Sequence, residues 1–331
     1  MKYRRMGRLG WEVSEIGYGM WGIVGGPGNF TAGANPEAAP DCLDLAVDLG
    51  CNFFDTAASY GGGESEKLLG RLLKRQRANG GKRIYIATKL PPKNREWPAR
   101  PGDTLDDVFP PEHIREFTHR SLENLGVDRI DLLQFHVWED RWAQDERWQR
   151  ALSDLRAEGL IEGIGISANR WEPGNCLKAI ETGLIDVVQV IYNIFDQAPE
   201  DELFKVALEK NVGIIARVPF DEGGLSGNLT KDLKFPPEDW RATYFGPENL
   251  GPTVDRAEAL KKALPSGMTL PEASLRFILH HPAVSTVIPG MRKEPHVRAN
   301  LGTSDGRALP QELLGTLRNH RWDRKPSSWS G

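Results

Sequence analysis

The chain has 331 residues, of which 39% are apolar, and a formal net charge of -4. That apolar content is enough for one large hydrophobic core or two ordinary ones. The charges form no long run of one sign, which gives no reason to expect a nucleic acid or an anionic membrane as a partner. No 18-residue apolar run occurs, and the amino-terminal segment lacks the apolar stretch of a secretory signal, so the sequence favours a cytoplasmic protein.

Cysteine and histidine usage argues against a disulfide framework and against a metal site. Cys42, Cys51 and Cys176 are isolated in the sequence and form no CxxC pair. His280 and His281 are adjacent, but no cysteine or carboxylate lies near them at the spacing of metal ligands. We therefore expect three ordinary buried thiols and no bound metal.

Short apolar or β-branched runs alternate with amphipathic stretches through most of the chain, which is typical of parallel strands joined by helices. Their consecutive apolar positions indicate strands that are buried on both faces. The predicted strands cover residues 13–19, 51–57, 83–90, 130–138, 161–168, 186–193, 212–219 and 283–290. Between them, segments 65–74 and 111–126 predict helices, the second with Pro near its start and Gly at its end.

Eight strand and helix units in a chain of this length predict a (β/α)8 TIM barrel, formed by one domain over residues 1–331. A doubly wound sheet is the alternative, but no GxGxxG motif follows the first strand, where a dinucleotide fold would place it. Residues 91–111 follow the third strand and residues 220–251 follow the seventh, and both are rich in Pro, Gly and aromatic residues. These segments predict two long loops at the same end of the barrel.

Polar residues interrupt the apolar runs where the predicted strands end. Asp55 ends the second strand, Lys89 the third and His136 the fourth. In the second half of the chain, the corresponding residues are Ser167, Asn169, Gln189 and Arg217. Barrel enzymes place their catalytic groups at the carboxyl ends of strands. Because a buried lysine or aspartate is unfavourable unless it is paired, we expect Asp55 and Lys89 to pair with each other.

Tyr60 lies five residues after Asp55 and is followed by three glycines, residues 61–63. An ammonium group within reach lowers the pKa of a phenol, so Tyr60 beside Lys89 could donate its proton to a developing alkoxide. Each residue also has an ordinary interpretation: a turn residue, a half-buried aromatic or a structural histidine. Lys89 alone could be the Schiff-base lysine of an aldolase. Four such residues at adjacent strand ends favour a catalytic group.

The segments that carry these residues resemble the aldo-keto reductase family, and the resemblance covers nearly the whole chain. The matching segments are "MKYRRMGRLGWEVSEIGYGMW", "FFDTAASYGGGESEKLLGRLL", "ATKL" and "DLLQFHVW". The resemblance implies a bacterial-type, NADP(H)-dependent barrel enzyme that binds its cofactor without a Rossmann motif. It implies hydride transfer between NADP(H) and an aldehyde, ketone or sugar carbonyl. The implied partner is a small-molecule carbonyl or alcohol, with a homo-oligomer left open.

The same resemblance implies a catalytic tetrad and a set of cofactor contacts. In the tetrad, Tyr60 is the general acid/base, Lys89 and Asp55 tune it, and His136 orients the carbonyl. The implied cofactor contacts are Gly19, Trp21, Ser167, Asn169, Gln189, Arg217, Pro219, Phe220, Leu225, Gly227, Gly290, Arg292, His296 and Asn300. Arg292 would hold the 2′-phosphate in bidentate fashion, which favours NADPH over NADH.

Several residues depart from the family pattern. Ala168 stands at the usual Asn position, so that Asn169 would substitute for it, and Arg217 replaces an aromatic residue that stacks on the nicotinamide. His296 stands where relatives often have Gln or Arg, and Ala299 stands where many have Glu. Because a guanidinium can stack on a planar ring, we hypothesise that Arg217 packs against the nicotinamide and favours its neutral, reduced form.

The substrate expectation depends on three tryptophans. Trp21, Trp97 and Trp138 could wall an aromatic pocket suited to sugars or to flat, bulky carbonyls, although they could equally pack loops. Two other functions stay open at this point. One is a cofactor-binding regulatory subunit resembling the family's potassium channel β-subunits, and the other is a Schiff-base aldolase that uses Lys89.

Overall fold

The computed structural model describes residues 1–25, 37–236, 239–324 and 326–327. Within these ranges, an antiparallel hairpin of β1 (Tyr3–Arg5) and β2 (Glu12–Ser14) precedes one eight-stranded parallel sheet whose order follows the chain. The strands of this sheet are β3 (Tyr18–Gly19), β4 (Phe53–Asp55), β5 (Tyr85–Leu90), β6 (Ile130–Phe135), β7 (Ile161–Ser167), β8 (Val187–Ile191), β9 (Gly213–Arg217) and β10 (Val284–Val287).

Two parallel bridges join the first and last strands of this sheet. Ile16 pairs with Val287, and Gly19 pairs with Gly290. The approach at Gly19 is close, because a Cβ atom there would lie 2.5 Å from the carbonyl oxygen of Ile288. A sheet joined in this way has no free edge and is a barrel. The (β/α)8 prediction is therefore confirmed, and the open, doubly wound alternative is wrong.

The hairpin corrects one of the predicted strands. Residues 13–14 belong to β2, and only residues 18–19 of the predicted run form a regular strand of the barrel. The hairpin closes the amino-terminal end of the barrel, where the buried side chains of Met6 and Val13 pack against interior residues such as Phe53 and Leu132. Val13 is an apolar residue because it packs into this core, and the sequence alone does not distinguish it from the apolar residues of the barrel strand that follows.

Helices surround the barrel. They are α1 (Ala39–Asp48), α2 (Glu64–Ala78), α3 (Leu105–Val108), α4 (Pro111–Leu125), α5 (Glu146–Ala157), α6 (Leu177–Glu181), α7 (Leu203–Lys210), α8 (Arg241–Ala263), α9 (Leu270–His280), α10 (Glu294–Gly302) and α11 (Gln311–Arg318). In the described part of the chain, none of them has both the length and the apolar character that crossing a membrane would need.

The predicted helices and long loops are largely in place. α4 ends before Gly126, whose φ of 61° lies in the left-handed region that favours glycine. The segment predicted as a loop over residues 220–251 is shorter than expected, because α8 already begins at Arg241 and continues through a kink at Gly246. Since all barrel strands are parallel, the segments after β5 and β9 lie at the same end of the barrel, as predicted.

Candidate active site

The carboxyl ends of β4 and β5 bring Asp55 and Lys89 into contact. In the strand register Asp55 lies beside Ala87, and alternate residues share a face, so Lys89 points into the barrel on the same side. Lys89 Nζ lies 2.5 Å from Asp55 Oδ1 and 2.8 Å from the carbonyl oxygen of Thr56. Both side chains are buried. The expected pairing is therefore present, and it allows the two charges to be buried together.

Two glutamine amides hold the second carboxylate oxygen of Asp55. Gln189 Nε2 donates to Asp55 Oδ2 at 2.8 Å, and Gln134 Nε2 donates to it at 3.1 Å. The resemblance assigned Gln189 to the cofactor, and the structure adds this contact with Asp55. Sequence reasoning missed Gln134. This residue lies on β6, two residues before His136, and residues two apart in an extended chain point to the same face.

The phenol of Tyr60 lies next to the ammonium group of Lys89. Tyr60 Oη is 3.4 Å from Lys89 Nζ. The turn that carries it uses Gly61 at a φ of 58° and Gly62 at 64°, both in the left-handed region that glycine readily adopts. Burial raises the pKa of Tyr60 and Lys89 lowers it, with a net shift upward. The expectation of a lowered phenol pKa is thus wrong, because desolvation outweighs the nearby charge, and Tyr60 keeps its proton at neutral pH.

Lys89 remains an ammonium group in this site. Burial alone would lower its pKa, but Asp55 and Tyr60 raise it, and the net shift is upward. Formation of a Schiff base needs a free amine with an available lone pair. This arrangement therefore weighs against the aldolase alternative.

His136 is a neutral imidazole beside Tyr60. Its ring centroid lies 5.8 Å from that of Tyr60 in an edge-on arrangement, and its Nδ1 lies 3.4 Å from Ser59 Oγ. Burial, together with the positive charges of Lys89 and Arg217, holds the pKa of His136 well below its usual value. A neutral imidazole carries one N–H group, which can donate a hydrogen bond to a carbonyl oxygen.

The three candidate tryptophans differ in what they offer a substrate. Trp97 is 42% exposed, and its ring lies edge-on to His136 with the centroids 5.8 Å apart. Trp21 packs edge-on against Trp240 at 5.0 Å. Trp138 is only 2% exposed and packs among other buried aromatic rings. Of the three, Trp97 therefore presents the most aromatic surface next to the tetrad.

Arg217 spans the carboxyl ends of β7 and β9. Its Nη2 donates to the carbonyl oxygen of Ala168 at 2.9 Å, and its Nε is buried with no hydrogen-bond partner among the described residues. Burial lowers the pKa of Arg217 to about 10, so it stays a cation at neutral pH. Asn169 uses its Oδ1 to accept from the backbone N–H of Trp171 at 3.0 Å. Ser167, next to Ala168, is buried at the end of β7.

The remaining predicted cofactor residues lie in segments at the same end of the barrel. Gly19 and Gly290 form the bridge that closes the barrel, and Arg292 follows two residues later. The segment after β9 contains Pro219, Phe220, Leu225 and Gly227. The helix α10 carries His296 and Asn300. The structure thus brings the predicted cofactor residues to one end of the barrel, and what they bind stays a prediction.

The described side chains contain no group of three His, Cys, Asp or Glu residues that could hold a metal ion. The three cysteines are buried free thiols. Burial raises the pKa of Cys51 to about 11, so this thiol stays protonated at neutral pH.

Comparison with known proteins agrees with this architecture. The model of the Aldo/keto reductase family matches residues 15–321. The uncharacterized oxidoreductase YqkF of Bacillus subtilis is 28% identical and covers 97% of this chain and 96% of its own length. The NADH-specific methylglyoxal reductase of Escherichia coli is 27% identical, with 91% of this chain and 93% of that protein covered.

A solved structure supports the same assignment. The holo form of aldo-keto reductase AKR11C1 from Bacillus halodurans superimposes with a TM-score of 0.74 at 26% identity, covering 97% of this chain and 96% of that one. The family match therefore extends over the strands that carry Asp55 and Lys89, over His136 directly after β6, and over the loops after β7, β9 and β10. The closed barrel and these matches show that the chain belongs to the aldo/keto reductase family.

Proposed function

We propose that this protein is an NADP(H)-dependent oxidoreductase that reduces an aldehyde, ketone or sugar carbonyl, with Tyr60 as the general acid/base. The family supports an oxidoreductase, and the proposal adds the cofactor, the substrate class and the residue roles. One observation carries it: Lys89 Nζ contacts Asp55 at 2.5 Å and Tyr60 Oη at 3.4 Å. The proposal includes a small-molecule partner, a cytoplasmic location and a single domain over residues 1–331.

The residues at the barrel mouth fit an anionic dinucleotide. Arg217 stays a cation at neutral pH, and its buried Nε has no hydrogen-bond partner among the described residues. Arg292, which the resemblance assigns to the 2′-phosphate, supplies a second guanidinium group, and guanidinium groups bind phosphate in bidentate fashion. Hydride transfer itself is the chemistry that the nicotinamide supplies when bound.

The proton step follows from the contacts of Tyr60. As the substrate oxygen gains negative charge, Tyr60 donates its phenolic proton to it, and the raised pKa ensures that this proton is present at neutral pH. The ammonium of Lys89 stabilises the phenolate that remains. His136 donates a hydrogen bond to the same oxygen. In the reverse direction, the phenolate of Tyr60 accepts the proton of an alcohol.

We infer a preference for NADPH from Arg292, which the resemblance places at the 2′-phosphate. One relative is named as NADH-specific, so membership of the family does not decide the cofactor. We also propose that Arg217 lies against the nicotinamide. This role is supported by its position at the end of β9, by its unpartnered Nε and by its effect on the pKa of His136.

The test replaces Tyr60 by Phe and follows NADPH oxidation with methylglyoxal, glyceraldehyde and 4-nitrobenzaldehyde. We expect turnover to fall by about 10²- to 10⁴-fold, because a positioned general acid contributes that much, while the Kd for NADPH stays unchanged. Tyr85→Phe is the matched control, since Tyr85 lies at the other end of β5 and stacks on Trp11.

A loss of NADPH binding equal to the loss of turnover would indicate that Tyr60 is structural. If the wild-type protein bound NADPH tightly but turned over none of the carbonyls, the regulatory-subunit alternative would gain support over this proposal.

A further inference from the structure

A second buried ionic group lies beneath the loops at the carboxyl end of the barrel, outside the tetrad. We call it the loop-anchor cluster, and its members are Arg170, Asp196, Asp221, Tyr244 and Arg324. The first three follow β7, β8 and β9, Tyr244 belongs to α8, and Arg324 lies beyond α11. The side chains of Arg170 and Arg324 are 1% exposed and that of Asp221 is fully buried. Nothing in the proposed proton step uses this cluster.

Asp221 is the centre of the cluster. Arg170 Nη2 donates to Asp221 Oδ1 at 3.0 Å and to Asp196 Oδ2 at 2.7 Å. The hydroxyl of Tyr244 also donates to Asp221 Oδ1. Arg324 Nη2 lies 2.9 Å from the same oxygen, but its nitrogens make no aligned hydrogen bond among the described residues, so its attraction is mainly Coulombic. Two guanidinium groups and two carboxylates balance in charge, which permits their burial.

Asp221 belongs to a backbone segment in an unusual conformation. Val218 has a φ of 55°, Asp221 of 48° and Glu222 of 53°, all in the left-handed region. That region is unfavourable for side chains other than glycine and most of all for a β-branched residue, so it persists only where the surroundings impose it. The surroundings here are Asn193, whose Nδ2 donates to the carbonyl oxygen of Val218 at 3.0 Å, and the loop-anchor cluster around Asp221.

The carboxyl-terminal part of the described chain is tied to this segment through Arg324. The backbone N–H of Trp322 donates to the carbonyl oxygen of Phe195 at 2.9 Å. The guanidinium of Arg324 lies over the rings of Trp322 and Phe195, with distances of 4.5 Å and 5.7 Å to their centroids. These contacts fix Arg324 beside Asp221, although the two residues are far apart in the sequence.

We propose that Arg324 is a positioning residue for cofactor binding. Its ion pair with Asp221 holds segment 218–227 in the strained conformation that receives the dinucleotide. This inference depends on the proposed function, because the resemblance to the family counts Pro219, Phe220, Leu225 and Gly227 of that segment among the cofactor contacts. A segment that is ordered before binding loses less conformational entropy when the ligand arrives. Loss of Arg324 therefore weakens cofactor binding and leaves the proton step intact.

The experiment compares Arg324→Met with Arg321→Met. Arg321 lies three residues earlier and pairs with Asp201 at the surface at 2.6 Å, so its replacement removes a charge from the same region without touching the cluster. Amide hydrogen exchange of a peptide covering residues 218–227 is measured without nucleotide. The Kd for NADPH is measured by tryptophan fluorescence, and kcat is measured at saturating NADPH.

For Arg324→Met we expect exchange in segment 218–227 to approach the rate of an unprotected peptide, so that the ordered form falls to about a tenth of the molecules. The Kd for NADPH should then rise by about tenfold, because apparent affinity falls with the fraction of competent protein. We expect kcat to stay within about twofold, since Tyr60 and Lys89 are not touched. Arg321→Met should match the wild-type protein in all three measurements. Arg324→Lys, which keeps the charge but not the planar fork, should give intermediate exchange.

Unchanged exchange of segment 218–227 in Arg324→Met would overturn the proposal, and so would faster exchange with an unchanged Kd for NADPH. If Arg324→Met failed to fold, wild-type exchange in Arg324→Lys would overturn it instead. Failure of the wild-type protein to bind either NADPH or NADH would overturn the proposed function. In that case the exchange data would still show whether Arg324 orders segment 218–227.

Discussion

The Asp55–Lys89 pair and the loop-anchor cluster are both buried ionic groups, but they are built in different ways. Asp55 and Lys89 stand on neighbouring strands, and Gln134 and Gln189 on further strands complete their hydrogen bonds. The loop-anchor cluster instead joins three loops, a helix and the end of the described chain. The register of the barrel strands fixes the positions of Asp55 and Lys89. The loop-anchor cluster has no such support, and its own ion pairs hold together the loops that carry its residues. Under the proposed function, the first group serves proton transfer and the second supports a loop that binds the cofactor.

Lys89→Met, which removes the charged partner of Asp55, should have the largest effect. We expect turnover to fall by about 10²- to 10⁴-fold, because Tyr60 loses the charge that stabilises its phenolate. The free energy of unfolding should fall by about 3–5 kcal/mol, since Asp55 stays buried without its partner. Steady-state kinetics and urea denaturation measure the two effects. Lys67→Met, which removes a lysine from an exposed pair with Glu64, is the control and should change neither.

Arg292→Met tests whether Arg292 determines the preference for NADPH over NADH. We expect affinity for NADPH to fall by about 10- to 100-fold, because hydrogen bonds between charged groups contribute that much. Affinity for NADH should not change, since NADH has no 2′-phosphate. Titrations of tryptophan fluorescence give both constants. Arg298→Met, on the same helix as His296 but paired with Glu294 at the surface, should leave both unchanged, and equal losses for both nucleotides would contradict the assignment.

Arg217 lies at the end of β9, between the Asp55–Lys89 pair and the loop that follows β9, and we expect its replacement to have a smaller effect on cofactor affinity. In Arg217→Tyr, the preference for NADPH over NADP⁺ should fall by at least about fivefold, because the repulsion between the guanidinium and the cationic oxidised ring is about 1 kcal/mol even at the dielectric constant of water. The ratio of the two dissociation constants measures this directly. An unchanged ratio would show that Arg217 does not lie against the nicotinamide.

The smallest expected effect is the absence of a pH dependence in kcat for carbonyl reduction. Burial raises the pKa of Tyr60 and lowers that of His136, so between pH 6 and pH 8 Tyr60 stays protonated and His136 stays neutral. At saturating NADPH, kcat should be flat over this range, and alcohol oxidation should rise with pH as Tyr60 ionises. An inflection of kcat near pH 6.5 would indicate that His136 titrates.

Glu222 should give the binding of NADPH a pH dependence that kcat lacks. Burial raises the pKa of Glu222 to about 7, and this residue lies in segment 218–227. An inflection near pH 7 is therefore expected in the KM for NADPH and not in kcat. Glu222→Gln should remove that inflection, whereas an inflection that persists in this variant would have another origin.

The meeting of Asp55 and Lys89 could be predicted from sequence, but the loop-anchor cluster could not. Asp55, Lys89 and His136 end apolar strands, and parallel strands bring such residues to one end of a barrel. Arg170 and Arg324 have no local pattern of this kind, because only the packing of loops brings them to Asp221. The direction of the pKa shift of Tyr60 was wrong for a related reason: sequence shows the neighbouring charge of Lys89 but not the extent of burial.

In the proposed reaction, hydride passes from a nicotinamide to a carbonyl carbon while Tyr60 supplies the proton. The most direct test incubates the protein and its Tyr60→Phe variant with methylglyoxal, glyceraldehyde and 4-nitrobenzaldehyde and NADPH that is deuterated at C4 on both faces. Mass spectrometry of the products is the measurement. We expect one deuterium at the new carbinol carbon with the wild-type protein and little product with the variant. Product without deuterium, or equal product from both proteins, would contradict it.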